Sequence, residues 1–487
     1  MIKLYRPSEH KKIFYRDLDV FNTFESNLEA AIKNKRNLKE VMPKLIECLF
    51  EIKHPVVAEN IFGMCVAYPN IYVRFSLISF IERWVPNEFA IEALVQLTHD
   101  PDDLVSFRAM EVCGNERIEE VLYNLPRFIG RLSESIHKTN KPVGLGAQKV
   151  FKSLSDILGV KSEKDLQLME MYVEKNKILP DKFNLEVEIP TYLHEEFCKL
   201  EEEGLIFVPG GFFTYGLDPN SVPDNRFGWH DSIPKKQVWL PPFFIDRFPV
   251  TNQDYDEFVS SIENEGHIFC HPYEPRNKDH TRNTFWDERF KSSHPVTGID
   301  WYDAYAFSRW KGKELPTEFQ WEKAARGEDG RVWPWGDTFN EKYANFSRSW
   351  SQNDIQTLQD WRNEILKFDD TYPSITTVDA ESIPENTSPY GVIGMVGNNW
   401  EWTRSDYVTR RNFHPMLKNA TKNNAHEFAV LKGGSFFSDI GLMYPSFRGK
   451  DIPFCRHNEM GIRCVVNIPL HLLRKENEGP IINKAIY

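Results

Sequence analysis

Gly394-Met395-Val396-Gly397-Asn398-Asn399-Trp400-Glu401-Trp402 is the stretch on which the reading of this chain turns. It concentrates the Gly, Asn and Trp that become frequent after Gly204. Such a composition predicts irregular backbone held by aromatic packing and by bound ions. Apolar runs around it are short and β-like, as in Leu205-Ile206-Phe207-Val208. Helices are predicted where capping signals precede apolar periodicity. Thr251 opens one that carries Tyr255, Phe258 and Val259. Asp300 opens another, bearing Ala304, Tyr305 and Trp310. Thr317-Glu318-Phe319-Gln320 is a capping box, and Gly327 is placed to end the helix it starts.

Toward the N-terminus the character changes. Residues 20 to 165 read as helical, with Val41, Leu45, Ile46 and Leu49, then Leu77, Ile78, Ile81, Trp84 and Val85, at helical spacing. Breaks fall at His54-Pro55, Tyr68-Pro69-Asn70, Val85-Pro86-Asn87 and His99-Asp100-Pro101, with Asn87 and Asp100 as helix starts. Short helices in pairs about thirty residues apart resemble HEAT or armadillo repeats, with an ordinary helical bundle as the alternative. The predicted organisation is a helical, HEAT-like domain over 1–165, a helical linker over 166–204, a domain of little regular structure over 205–470 and a tail over 471–487.

The chain of 487 residues is long enough for two or three domains. Its apolar share of 41% predicts a globular protein, and its formal net charge of −12 argues against nucleic acid as the main partner. No apolar region follows Met1 to Lys12, so no signal peptide is expected, and no apolar run reaches membrane-spanning length. The 7 cysteines show no C-x-x-C pairing and read as reduced thiols of a cytoplasmic protein.

An ordered set of blocks resembles the formylglycine-generating enzyme, or sulfatase-modifying factor, family. They are Phe207-Val208-Pro209-Gly210-Gly211, Phe244-Ile245-Asp246-Arg247, Val250-Thr251-Asn252, Pro295-Val296, Trp301-Tyr302-Asp303-Ala304 and Leu315-Pro316-Thr317-Glu318. Then follow Trp321-Glu322-Lys323-Ala324-Ala325-Arg326-Gly327, Pro334-Trp335-Gly336, the 394–402 stretch, Gly433-Gly434-Ser435-Phe436 and Gly461-Ile462-Arg463. The resemblance implies an α+β, C-type-lectin-like fold for the 205–470 domain; with the all-α N-terminal part, which lies outside the resemblance, the chain is expected to be multidomain. The resemblance also implies two cysteines that hold copper and convert a sulfatase cysteine to formylglycine.

Those thiols are missing. The first position is Ser438, the second Met443, or Tyr444 with one gap. Copper(I) needs soft thiolates, so copper is not expected. Iron is not expected either, because His10, His54, His99, His137 and His194 lack the His-x-x-x-His-x-Glu spacing of the family's ergothioneine-pathway relatives. Structural calcium is expected. The resemblance places one site at Asn345, Phe346, Asp370 and Tyr372, and a second at Gly397, Asn399 and Glu401. It gives a pocket of Trp400, Ser435, Ser438, Asp439 and Arg448, presenting aromatic faces and a guanidinium to a peptide or small polar ligand.

Two further groups offer metal ligands. His267 and His271, four apart around Cys270, could share a helix face, with His280 and His294 near; the Pro- and Asn-rich context argues for a loop. Cys455 and His457 form the other, against a simpler reading of Cys455 and Cys464 as free thiols. Two functions therefore stand side by side. One is a pseudoenzyme that binds a protein or peptide partner within a larger complex, with the inserted segments 266–290 and 347–368 as docking elements. The other is a metal-dependent oxidase or oxygenase with a non-standard site.

Overall fold

A computed structural model describes residues 11–85, 87–116, 162, 164–165, 193–217, 235–275, 278–282, 290–368, 375–415, 418 and 424–468. The chain divides into two compact units, one of residues 1–6, 193–413 and 425–467, the other of residues 7–192, 414–424 and 468–487. Most of the expected linker, and the tail, lie outside the described residues.

The second unit is helical. Its described helices are α1 (Lys11–Lys33), α2 (Leu38–Leu45), α3 (Pro55–Ala67), α4 (Ile71–Glu82), α5 (Glu88–Leu97) and α6 (Asp103–Asn115). Asn70 and Asn87 cap α4 and α5 by accepting from the first-turn amides. Asp100 does not start a helix. The cap of α6 is Asp102, which accepts from Leu104 and Val105. Asp100 is instead buried against Arg74, taking Nε at 2.7 Å and Nη2 at 2.9 Å. Arg74 also donates to the carbonyls of Tyr68 and Pro69, so one guanidinium ties that turn to Asp100. Helix α3 packs on α4 and α5, and α6 on α4 and α5. Solenoids and bundles share such packing, and it confirms no repeat.

The first unit begins with α7 (His194–Glu202) and β1 (Leu205–Val208). Strand β4 (Phe243–Asp246) lies between β1 and β9 (Val465–Asn467), both antiparallel to it. β2 (Gly211–Tyr215) pairs with β3 (Lys236–Leu240). A four-stranded sheet has the order β7-β6-β5-β8, from Gly449–Asp451, Ala429–Lys432, Trp400–Asp406 and Met460–Gly461. The three predicted helices form: α8 (Asn252–Glu265), α9 (Trp301–Trp310) and α10 (Glu318–Arg326). Each has a reciprocal capping box, Thr251 with Asp254, Asp300 with Asp303 and Thr317 with Gln320. Gly327, at φ 72°, ends α10. The 347–368 insertion holds two helices that were not predicted, α11 (Ser347–Trp350) and α12 (Leu358–Leu366).

Helix α10 positions the centre of this unit. Trp321, Ala324 and Ala325 pack on Val208, Phe243, Ile245 and Val465. Its charged residues are buried as well. Arg326 donates to the carbonyls of Thr214, Gly216, Gly330 and Arg331, and Lys323 to those of Pro209 and Gly211. These side chains satisfy carbonyls within and beside β2 and in the 330–331 turn. No helix among the described residues is long and apolar enough to cross a membrane.

Candidate functional site

Two glycine turns meet where the family pocket is expected. The amide of Gly397 donates to the carbonyl of Gly433 at 2.8 Å, and that of Phe436 to Asn398 at 3.1 Å. Gly434, at φ 76°, leaves room for Met443: an added Cβ would stand 2.7 Å from its Cγ. The amide of Ser435 donates to Ser438 Oγ at 2.9 Å, and Ser435 Oγ donates to Glu459 at 2.8 Å. Desolvation pushes the Glu459 carboxyl up and favours its protonated form.

The insertion closes over this turn. Trp350 Nε1 donates to the carbonyl of Phe436, and Trp361 Nε1 to that of Phe437, both at 2.7 Å. Phe368 stands edge-on to Phe437 with centroids 4.5 Å apart. The amide of Ser347 donates to the carbonyl of Ser438 at 3.0 Å.

The expected pocket residues are accordingly not presented to solvent. Ser435, Ser438 and Asp439 are at most 1% exposed, Arg448 5% and Trp400 8%. Asp439 is not a free charge, because Arg348 donates to both its oxygens at 2.8 and 3.1 Å. The Arg448 guanidinium donates to both Glu318 oxygens and to the carbonyl of Tyr407. Burial would raise the Glu318 carboxyl, but Arg448 beside it holds it below the ordinary glutamate value. The resemblance suggested a groove; the residues expected to line it are buried.

The thiol positions hold no thiol. Ser438 is bound within its own turn, Met443 is fully buried beneath Gly434, and Tyr444 stacks on Trp333 at 4.5 Å. Cys464 is buried in the core beside Asp246, and Cys455 lies beside Asp451. These residues do not fit copper(I).

Calcium fares differently at its two implied sites. Asn345 and Phe346 are described, whereas Asp370 and Tyr372 lie outside the described residues. The Asn345 side chain donates to the carbonyl of Thr376 and to Asn398 Oδ1, and its carbonyl accepts from the Asn398 amide. At the second site, Gly397 (φ 71°) and Asn399 form the turn, but Glu401 has no free oxygen. It accepts from Arg463 Nε and Nη2 at 2.9 to 3.1 Å and from Trp321 Nε1 at 2.6 Å. A guanidinium supplies the positive charge there, and the arrangement does not fit calcium at Glu401.

The histidine-rich segment gathers part of its expected set. His267, Cys270 and His280 converge, joined by Glu274, which nothing in the sequence singled out. The 267–270 stretch is a turn and no helix face is shared. His271 packs instead among the rings of Trp301, Tyr302 and Tyr305, where burial lowers its pKa to about 3. His294 lies near Thr377. Burial alone would lower the His280 pKa, but hydrogen bonds to Asp303 and Glu274 raise it to about 9. Asp451, Cys455 and His457 form a second group, with His457 half exposed.

Residues 191–468 match the sulfatase-modifying factor enzyme 1-like domain. The uncharacterized protein YfmG of Bacillus subtilis (strain 168) is 54% identical over 483 residues, 98% of this chain and 99% of that protein. The inactive C-alpha-formylglycine-generating enzyme 2 of Bos taurus is 34% identical over 236 residues, 42% of this chain and 71% of that protein. Hercynine oxygenase of Mycolicibacterium smegmatis (strain ATCC 700084 / mc(2)155) is 29% identical over 289 residues, 53% of this chain and 60% of that protein. An oxygenase among the relatives removes the ground for setting iron aside. The ordered blocks, the capped helices that carry them and this match together show that the chain belongs to the sulfatase-modifying factor enzyme 1-like domain family.

Proposed function

We propose that this chain is a member of the family that does not generate formylglycine and serves as a protein- or peptide-binding component of a larger complex. One observation carries the reading: Ser438 and Met443 stand at the thiol positions and are buried, and Trp350, Trp361 and Phe368 pack on the neighbouring Phe436-Phe437 turn. A hydroxyl and a thioether lack the redox chemistry of two thiolates, and a buried turn gives a substrate cysteine no access. The scaffold is intact all the same. With the expected pocket residues buried, partner contact falls to other surfaces, the helical unit and the 347–368 insertion first among them.

The test has two arms. Purified chain is incubated with copper(I), oxygen and a cysteine peptide of sulfatase type, and the peptide mass is followed. No loss of sulfur is expected, and conversion at enzyme-like rates would refute the proposal. In parallel, the chain is isolated from its own cells at native abundance. A stoichiometric partner should co-elute through gel filtration.

A second reading, a metal-dependent oxidase or oxygenase acting on a peptide or small molecule, draws support from the relationship to hercynine oxygenase and from the three-residue group of Asp451, Cys455 and His457. It requires a redox metal with an open coordination position, and oxygen uptake by metal-loaded chain would favour it.

A further inference from the structure

From the geometry around His267 we infer a closed four-ligand site for one divalent ion of the zinc class, built by His267 Nδ1, Cys270 Sγ, Glu274 Oε1 and His280 Nε2. The four atoms lie within 4.8 Å of one another. Five of the six separations are short: 3.5 Å from Cys270 to His267, 3.4 Å from Cys270 to His280, 3.3 Å from His267 to Glu274, 3.3 Å from His267 to His280 and 3.1 Å from His280 to Glu274. A tetrahedron with zinc–nitrogen, zinc–oxygen and zinc–sulfur bonds of ordinary length has edges of about 3.3–3.6 Å. The observed separations are those of ligands around a single centre.

Hydrogen bonding among the four explains this less well. A thiol, two imidazoles and a carboxylate cannot each find a donor and an acceptor across all five contacts. Glu274 Oε2 is buried with no hydrogen-bond partner. One divalent ion satisfies four lone pairs at once. With a thiolate, a carboxylate and two neutral imidazoles its charge is cancelled, as burial requires.

The outer contacts fit as well. His280 Nδ1 donates to Asp303 Oδ1 at 2.9 Å, which turns Nε2 toward the other three atoms. Asp303 is held in turn by Lys278, by Arg456 and by the amide of Asp300. It is also the third residue of α9, the one that closes the capping box. The ion would therefore staple the 267–280 segment to the start of α9. Four protein ligands leave no open position, so the role is structural. Loading requires the Cys270 thiol proton to leave, and the Nε2 proton of any imidazolium at His280.

The experiment uses the full chain, freed of any affinity tag, stripped with chelator and reloaded. One zinc per chain by elemental analysis is expected, with release of about two protons on binding. Cobalt in its place should give the strong visible bands of tetrahedral coordination and a near-ultraviolet thiolate charge-transfer band. Cys270→Ser should abolish that band, Glu274→Gln should cut metal content at least tenfold, and Asp303→Asn should weaken affinity about 10–100-fold. His457→Ala, in the other group, should change none of these. An octahedral cobalt spectrum, a wild-type chain that retains no zinc or cobalt, or a stoichiometric iron that keeps a bound water would each overturn the assignment. The wild-type spectra decide the matter even where a variant fails to fold.

Discussion

Replacing Arg463 by Met is the sharpest probe of what holds the 394–402 turn. Arg463 and Glu401 are 0% and 1% exposed. The guanidinium also donates to the carbonyls of Asp246 and Arg247 at 2.9 and 3.0 Å and of Ile393 at 2.9 Å. Methionine fills much of the volume but leaves Glu401 with only the Trp321 indole. Breaking a buried ion pair from one side costs about 3–5 kcal/mol. Orphaned carbonyls cost about 1–3 kcal/mol each where nothing replaces the donor, without adding fully. We expect a loss of about 5 kcal/mol, which consumes much of the roughly 5–15 kcal/mol that stabilises a domain. Adding Glu401→Gln to Arg463→Met should recover about 1–2 kcal/mol, because a neutral amide is cheaper to bury than a carboxylate. Urea unfolding followed by tryptophan fluorescence is the assay. All of the 13 Trp except Trp84 lie beyond residue 200, so the signal reports this part of the chain. A loss below about 1 kcal/mol for Arg463→Met would refute the argument. So would a wild-type stability that collapses on calcium chelation while Arg463→Met is silent.

Three further predictions concern other parts of the chain. Trp350→Ala should cost about 3–5 kcal/mol and speed hydrogen exchange at Phe436 to Asp439, since the indole both packs on Phe368 and caps the Phe436 carbonyl; unchanged exchange there would show that the insertion does not seal the turn. The Glu318 carboxyl lies below its ordinary value in the fold, so its contribution is complete above the unfolded pKa of about 4.3 and is lost as pH falls through the folded value. Glu318→Gln should therefore lower stability at neutral pH and flatten the acid limb of a stability–pH curve. Asp102→Ala should cost about 1 kcal/mol through the lost cap of α6, whereas Asp100→Ala should cost several times more by stranding Arg74, an order that paired denaturation curves can reverse.

Local signals were legible in the sequence, and partners far along the chain were not. Thr251, Asp300 and Thr317 announce their helices because a capping box lies within four residues. The helix of Glu322-Lys323-Ala324-Ala325-Arg326 is legible from its cap, but the full burial of its three charges is not. Some of their partners, Lys432 and the carbonyls of residues 209 to 216, stand more than 100 positions away. Asp100 misled for the same reason, since Arg74 claims it from 26 positions off. The closed turn at Ser438 was hidden because Trp350 and Trp361 carry no local mark of what they cover. Glu274 was missed because a single glutamate in a polar loop has no signature until the fold brings it beside Cys270.

The strand order β1-β4-β9 bears on how the chain is made. Phe243–Asp246 sits between a neighbour that precedes it closely and one that begins at Val465. During synthesis at about 5–20 residues per second, one edge of that strand stays bare for roughly 10–40 s while about 220 residues emerge. An apolar ribbon open that long invites pairing with a neighbouring nascent chain. That exposure lasts until Val465–Asn467 is made, and a premature stop anywhere ahead of Val465 makes it permanent.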